Sequence, residues 1–341
     1  GSVCEVGELS FFSSLSELFR SPAPPDPAVQ AALERILQWV DPMVRAAPRL
    51  EKHLTDAVAH ALAYCQNVVG QLPGPLAINR QSFSLDPLIH ALFATPADIG
   101  EMLGRSEAVR DFLGRSESWA ENEFYALLAA RRRQKTQFGM AQQGEVIRND
   151  VPQKVLYFSD HILIEPHCEL QVTRERLCWQ ALESLMRTFN NHVEQLRQDR
   201  ETLRADISVE NAILHPWREH SKLHYHPAPE DQYARHLGQL DQSLRENGAL
   251  LTPENLVAQL ADFLRQPESA LNTSQMKFYI DRLGVIHEPD QAGADVQEIN
   301  FAEFVSRDRR QHLTTLVRIS REEARQAVEM EQSRRARRIL I

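Results

Sequence analysis

Cysteine is scarce and scattered in this sequence. Four cysteines occur in 341 residues, at Cys4, Cys65, Cys168 and Cys178, and no two of them form a Cys-x-x-Cys pair. This pattern excludes both the disulfide framework of a small secreted protein and the paired thiolates of a zinc finger. We therefore expect reduced thiols and a cytoplasmic location.

Glycine is also scarce, with 13 residues in the chain, and the glycine motifs of several enzyme classes are missing. Neither the G-x-x-x-x-G-K-[ST] phosphate loop nor the G-x-G-x-x-G dinucleotide turn occurs, and without such glycines a backbone cannot approach a phosphate closely. The G-x-S-x-G nucleophile elbow and the H-E-x-x-H zinc helix are absent as well. Each absence excludes one style of enzyme rather than catalysis in general. We assign no catalytic residue.

Long apolar runs are missing too. No stretch approaches the roughly 18 apolar residues that cross a bilayer, so no integral membrane segment is predicted. The overall composition, 43% hydrophobic and 25% charged residues, is ordinary for a globular protein. The length favours one large domain or two packed lobes.

The net charge of −9 is unevenly distributed. An acidic protein does not attract nucleic acid over its whole surface, because phosphates repel it. Residues 305–341, however, contain ten arginines against five acidic residues. This segment is either a solvated helix or a docking surface for an acidic partner. Its basic patch consists of Arg334, Arg335, Arg337 and Arg338.

The N-terminal 26 residues combine a short amphipathic segment with a stiff linker. Four prolines between Ser21 and Pro27 exclude a helix there. The segment before the linker lacks the lysines typical of a membrane-surface helix, so we expect it to pack on the body or to dock a partner. Its apolar docking residues are Phe11, Phe12, Leu15, Leu18 and Phe19.

Residues 27–135 show helical spacing of apolar residues almost throughout, which predicts a helical lobe of about five helices. Two long helices are expected at 28–40 and 50–69. Asp41-Pro42 ends the first of them, and Pro73-Gly74-Pro75 stops the second. Asp86 and Thr95 are predicted helix caps. A further helix is expected at 118–132.

The β pattern appears in two separated segments, 136–168 and 270–341. The first predicts a hairpin across 136–165, with a buried second strand. The second predicts three strands and then a C-terminal helix that starts with a capping box at Ser320. The expected fold class is α+β and predominantly helical. It has a small mixed or antiparallel sheet built from these two segments, with a long helical arm or hairpin inserted between them.

The insert, residues 169–269, begins with an unusually long helix. An apolar stripe runs along it at steps of three and four residues, and Arg200 occupies one of the apolar positions. The stripe is compatible with an exposed arm that self-associates and equally with a helix that faces the core. We assign Leu182, Leu185, Phe189, Val193 and Leu196 to a candidate interaction surface.

Four histidines fall within residues 215–226. His220 and His224 are four residues apart and can share a helical face, whereas His224 and His226 can share one side of an extended segment. These histidines predict either a polar connector or a site for zinc or another divalent metal. The candidate ligands are His220, His224 and His226.

Together these features favour a protein that binds other macromolecules through helical surfaces and needs no cofactor. The expected partner is a protein, and a homo-oligomer is one form of that hypothesis. The first alternative is a metal-dependent enzyme centred on the histidine cluster. The second is a nucleic-acid-binding protein that uses the arginine-rich C-terminal helix, although nucleic acid is the less favoured partner.

Overall fold

The computed structural model of the protein describes residues 26–119, 121–143, 146–220, 229–289, 295–305 and 311–339. Within these ranges the side chains are described except at 140–149, 214–232 and 338–339. The predicted N-terminal docking residues Phe11, Phe12, Leu15, Leu18 and Phe19 lie outside the described residues, so their role stays a prediction.

Two helices open the described chain, close to where the sequence predicts them. They are α1, Pro27–Trp39, and α2, Leu50–Gly70. The Asp26 carboxylate caps α1 by accepting a hydrogen bond from the Ala28 N–H at 2.9 Å. Val40, which follows α1, is extended, and its N–H still donates to the Ile36 carbonyl of the helix. Both helices contribute apolar residues to one core.

Four short helices follow the second one. They are α3, Arg80–Leu85, α4, Pro87–Leu92, α5, Pro96–Arg105, and α6, Glu107–Leu113. The predicted cap at Asp86 is confirmed, since its carboxylate accepts from the N–H groups of Leu88 and Ile89. The predicted cap at Thr95 is confirmed as a capping box in which the Asp98 carboxylate accepts from the Thr95 N–H at 2.8 Å.

A seven-stranded sheet occupies the centre of the protein. Its strands are β1, Leu76–Ile78, β2, Glu123–Gln143, β3, Val146–His167, β4, Thr273–Ile280, β5, Ile286–His287, β6, Gln297–Val305, and β7, Gln311–Ser320. Six of them lie in the order β3-β2-β7-β6-β4-β5 with antiparallel pairing, and β1 pairs with β7 in parallel. Strands β2 and β7, which are far apart in the sequence, thus pair as neighbours in the sheet.

This sheet corrects the predicted fold class, which had a small sheet from the segments 136–168 and 270–341 only. The strands β1 and most of β2 lie inside 27–135, which was predicted to be helical throughout. The predicted helix at 118–132 is therefore wrong, and the predicted hairpin at 136–165 is longer than expected at both ends. Its strands contain 21 and 22 residues.

Alternation of buried side chains explains why this segment forms a strand. Phe124, Ala126, Leu128 and Ala130 are each at most 1% exposed and lie on one face of β2. Alanine and leucine are strong helix formers, so local propensity favours the wrong element. Pairing with β3 on one side and β7 on the other supplies hydrogen bonds that override this propensity.

The sheet separates two apolar cores. One core joins one face of the sheet to α1 and α2 and to two later helices, and it includes Leu316 of β7. The other joins the opposite face to the short helices and to the C-terminal helix, and it includes Val317 of the same strand. Adjacent side chains of β7 thus pack in different cores, because successive residues of a strand point to opposite faces of the sheet.

Four helices complete the fold. They are α7, Leu170–His220, α8, Pro229–Leu250, α9, Pro253–Leu264, and α10, Arg321–Ile339. Near the end of α8, the Asn247 side chain donates to the Leu196 carbonyl of α7 at 3.1 Å. None of the described helices combines the length and hydrophobicity that crossing a membrane requires.

Candidate functional site

The long helix α7 changes its environment midway along its 51 residues. Up to Val193 it contributes fully buried side chains to the core. After Val193, none of its described side chains is fully buried, and the same is true of the described side chains of α8. We call α7 after Val193 together with α8 the arm. At 1.5 Å per residue, the arm part of α7 is ~40 Å long.

The two helices of the arm contact each other through Glu210 and His236 and through Asn247 and Leu196, and we call the aliphatic side chains between these two contacts the seam. Leu203 and Ile207 of α7 and Leu237, Leu240 and Leu244 of α8 are all partly buried. Their spacing of three or four residues places each set on one helical face. Two helices alone cannot enclose these side chains, because a closed helical core needs cover from a further layer. The seam therefore retains exposed apolar area.

Polar atoms within the seam are incompletely paired. The Glu210 Oε1 atom lies 2.9 Å from His236 Nδ1, but its Oε2 atom is buried without a hydrogen-bond partner among the described residues. Arg200 Nε is buried and equally without a hydrogen bond in that part of the chain, with Glu201 Oε1 at 3.6 Å. Buried polar atoms of this kind are normally satisfied by protein or by water.

The outer face of the arm also carries apolar side chains. Val209 is 58% exposed and Ile213 is 43% exposed, and their separation of four residues places them on the same side of α7. Tyr233 near the start of α8 is 39% exposed. These residues add exposed apolar surface outside the seam.

A polar cluster fixes the base of the arm to the body. Arg197 Nη1 lies 2.7 Å from the Asp41 carboxylate, which also accepts from the Met43 N–H. The Asn190 side chain donates a hydrogen bond to the Trp39 carbonyl and accepts one from the Asp41 N–H. Burial raises the pKa of Asp41, but the hydrogen bonds from Arg197 and Met43 hold it below its ordinary value. The carboxylate therefore stays charged and holds α7 where it leaves the core.

Most of the predicted interaction surface on α7 lies in the part of the helix that packs in the core, before the arm begins. Leu182, Leu185, Phe189 and Val193 are at most 2% exposed, and Phe189 packs on Phe263 of α9 with ring centroids 5.9 Å apart. These four side chains hold α7 to the body and present no free surface, which corrects their assignment to a docking face. Leu196, the fifth residue of the stripe, is partly exposed at the start of the arm.

A cleft of 730 Å³ lies on the opposite side of the sheet, between β3 and the short helices α4, α5 and α6. A bulge in β3 brings Asp160 and His161 to it, and Asp160 takes a left-handed φ of 54°. The His161 ring stacks on Phe93, and its Nε2 atom lies 2.7 Å from the Leu92 carbonyl. Burial lowers the pKa of this imidazole.

The carboxylate of Asp160 is engaged with other groups. Hydrogen bonds from the Ser159 hydroxyl and the Arg133 guanidinium hold its pKa below the usual range. In the part of the chain that the structure describes, the contacts of Asp160 and of His161 thus go to different partners. The cleft presents no assembled acid–base pair among these residues, so it is not our candidate site.

The other predicted site residues lie at the edges of the described chain. His220 is the last residue of α7 and its side chain is not described, while His224 and His226 lie outside the described residues. Over the described residues, no three His, Cys, Asp or Glu side chains form a group that could hold a metal ion. The metal site at these histidines stays a prediction.

The basic patch lies along the end of α10. Arg334, Arg335 and Arg337 are exposed, and Arg335 pairs with Glu331 of the same helix at 3.2 Å. Arg338 continues the helix, but its side chain is not described. An ion pair within the helix is the arrangement of a solvated helical face, one of the two alternatives that the sequence leaves open.

The seam residues of α8 and Glu210 of α7 were not among the residues predicted from the sequence. The signal was present, since Leu237, Leu240 and Leu244 repeat at helical spacing and Arg200 interrupts the apolar stripe of α7. The sequence leaves open whether the insert is a single arm or a helical hairpin, and the structure has α8 folded back along α7. No family model, no curated protein and no solved structure matches this chain, so the candidate site depends on its geometry alone.

Proposed function

We propose that this protein is a non-enzymatic interaction protein that binds other proteins through the arm. The observation that carries this proposal is the seam, in which five aliphatic side chains of α7 and α8 remain partly exposed over most of the arm. Apolar surface that stays exposed next to exposed apolar residues such as Val209 and Ile213 supports a protein–protein contact site on the arm. The sheet and its two helical layers provide a rigid body that holds the arm at the Asp41–Arg197 pair.

The charge of the arm favours protein over nucleic acid as its partner. Residues 194–213 and 229–250 contain five arginines and no lysine against nine acidic residues, a net charge of −4. Phosphate backbones are repelled by such a surface. An amphipathic helix or a helical surface of another protein can instead bury its own apolar side chains against the seam.

Site-specific photo-crosslinking in native cell extract tests this function. We expect a photoreactive residue at Val209 or Ile213 to form adducts of discrete mass, because both side chains are exposed on the arm that is proposed to bind the partner. The same residue at Lys52, on the exposed side of α2, serves as the matched control. The measurement is the adduct pattern on a denaturing gel, followed by mass spectrometry.

Adducts at the arm positions that are missing at Lys52 would support the proposal. An arm without adducts, or a pattern that is identical at all three positions, would contradict it. A variant in which the arm seam is charged, Leu240→Asp, should lose the adducts while the body keeps its cooperative unfolding, because Leu240 lies outside the buried core.

A further inference from the structure

A groove opens on the body of the protein at the point where the described chain begins. Its borders are Ala28 at the start of α1, Gln66 and Gly70 near the end of α2, and Cys178 and Trp179 of α7. The lining is mainly apolar, and the volume of 450 Å³ lies within the ~300–1,000 Å³ of pockets that enclose a ligand. Open apolar surface of this kind marks a place where a further apolar segment packs.

We infer that the N-terminal segment of the same chain docks in this groove, through the apolar side chains that precede the proline linker. These are the predicted docking residues Phe11, Phe12, Leu15, Leu18 and Phe19. The sequence alone leaves open whether they pack on the body or bind a partner, and the groove offers a place for them on the body. The inference concerns a surface outside the arm and does not rest on the proposed function.

The position and length of the linker favour this groove over more distant surfaces. Phe19 and Ala28 are nine residues apart, so even a fully extended chain keeps Phe19 within ~32 Å of Ala28. The groove begins at Ala28 itself. Because the segment and the groove belong to one chain, a short tether gives the segment a high effective concentration at this surface.

Charge favours the same occupant. Arg174 is a partly exposed residue of the groove, and among the described residues it has neither an ion pair nor a hydrogen bond from its Nε atom. The neighbouring carboxylate of Glu175 instead accepts from the Gln171 amide at 3.3 Å. Residues 1–20 contain three glutamates against one arginine, and one of these glutamates, Glu17, directly precedes the docking residue Leu18. The segment therefore supplies both the apolar side chains and the negative charge that the groove lacks.

Photo-crosslinking in the chain of residues 1–341 tests the inference. A photoreactive residue replaces Gln66, which is exposed at the groove, or Lys52, which is exposed at the other end of the same helix and serves as the matched control. In an equal mixture of unlabelled and isotope-labelled protein, mass spectrometry shows whether a cross-link joins one chain or two. We expect position 66 to form cross-links to residues 9–20 of its own chain, roughly tenfold or more above position 52.

Two variants separate docking from folding. Leu18→Asp with Phe19→Asp charges the docking residues, whereas Gly70→Phe fills the groove from the body. A Cβ at Gly70 would meet no atom of the described residues within 4 Å, so the new side chain displaces nothing there. Each variant should lower the cross-link yield from position 66 by roughly tenfold, because apolar contact with the groove is lost. Cooperative unfolding, followed by circular dichroism, should persist in both.

Three results would overturn the inference. They are the absence of any cross-link from position 66 to the segment, cross-links that join two chains, and equal yields at positions 66 and 52. A yield that either variant leaves unchanged would contradict docking in the groove as well. None of these results bears on the arm, because the test of the proposed function uses positions 209 and 213.

Discussion

Replacing Glu303 by alanine should lower the free energy of unfolding by ~3–5 kcal/mol. Glu303 lies on β6 with a side chain only 4% exposed, and it forms an ion pair with Arg132 of β2, itself 9% exposed. Gln311 of β7 accepts from the same guanidinium, which also lies over the ring of Phe278. The alanine variant leaves a buried guanidinium without its carboxylate, and this desolvated charge is the source of the effect.

Chemical denaturation of the wild type and of the variant measures this change. A double variant, Arg132→Met with Glu303→Leu, is the matched control, because it removes both charges and keeps apolar volume in the sheet. We expect the double variant to unfold close to the wild type, since replacing a complete buried pair by apolar residues is often neutral. A loss below ~1 kcal/mol for Glu303→Ala would show that water reaches the pair.

The double variant Leu185→Asp with Phe189→Asp should fail to fold. Both side chains are at most 2% exposed, and they hold α7 against α2 and α9. Truncating a buried phenylalanine alone removes ~3–5 kcal/mol, and two unpaired carboxylates in the core add their desolvation. Together these losses approach or exceed the ~5–15 kcal/mol by which a typical domain is stable. We expect the loss of the cooperative transition seen by circular dichroism.

The matched control places the same charges on the arm of the same helix. Ala205 and Ala212 are exposed, so Ala205→Asp with Ala212→Asp should lower stability only by the weaker helix propensity of aspartate, ~1 kcal/mol in total. A folded monomer from the Leu185 and Phe189 variant would contradict the core position of these residues. It would instead support the docking face that the sequence alone suggests.

The elements that the sequence predicts well are those with local signals. The first two helices have apolar stripes with clear ends, and Asp86, Thr95 and Ser320 begin helices as their capping patterns indicate. The three strands predicted in the second β segment are present at Thr273–Ile280, Gln297–Val305 and Gln311–Ser320, because apolar residues recur in them at the period of a strand. These signals lie within a few residues of each other, so no knowledge of the tertiary fold is needed.

The elements that the sequence misses depend on distant partners. The start of β2 has the composition of a helix, and its pairing with β3 on one side and with β7, about 190 residues later, on the other makes it a strand. Arg132 lies in a run of basic residues that suggests a surface patch, yet it is buried because Glu303 lies opposite. Glu303 itself gives a hint, since it falls on the apolar side of an alternating strand, between Phe301 and Val305.

The candidate site is predictable only in part for the same reason. The sequence leaves open whether the long helix is an exposed arm or a core helix, and the structure shows that each description holds for one half of it. The change occurs between Val193, which is fully buried, and Arg200, where a charged residue takes an apolar position of the stripe. The fold-back of α8, which creates the seam, is the hairpin form of the predicted insert, and the sequence alone does not choose it over a single arm.

Covalent footprinting of the seam tests the central claim most directly. With a photoactivated carbene and the purified protein at high dilution, we expect Leu203, Ile207 and Leu240 to take up label, while Phe189 stays unlabelled. In native cell extract, the three seam residues should become protected. A seam that is as unreactive as Phe189 in dilute protein, or one whose labelling is unchanged in the extract, would contradict a binding arm.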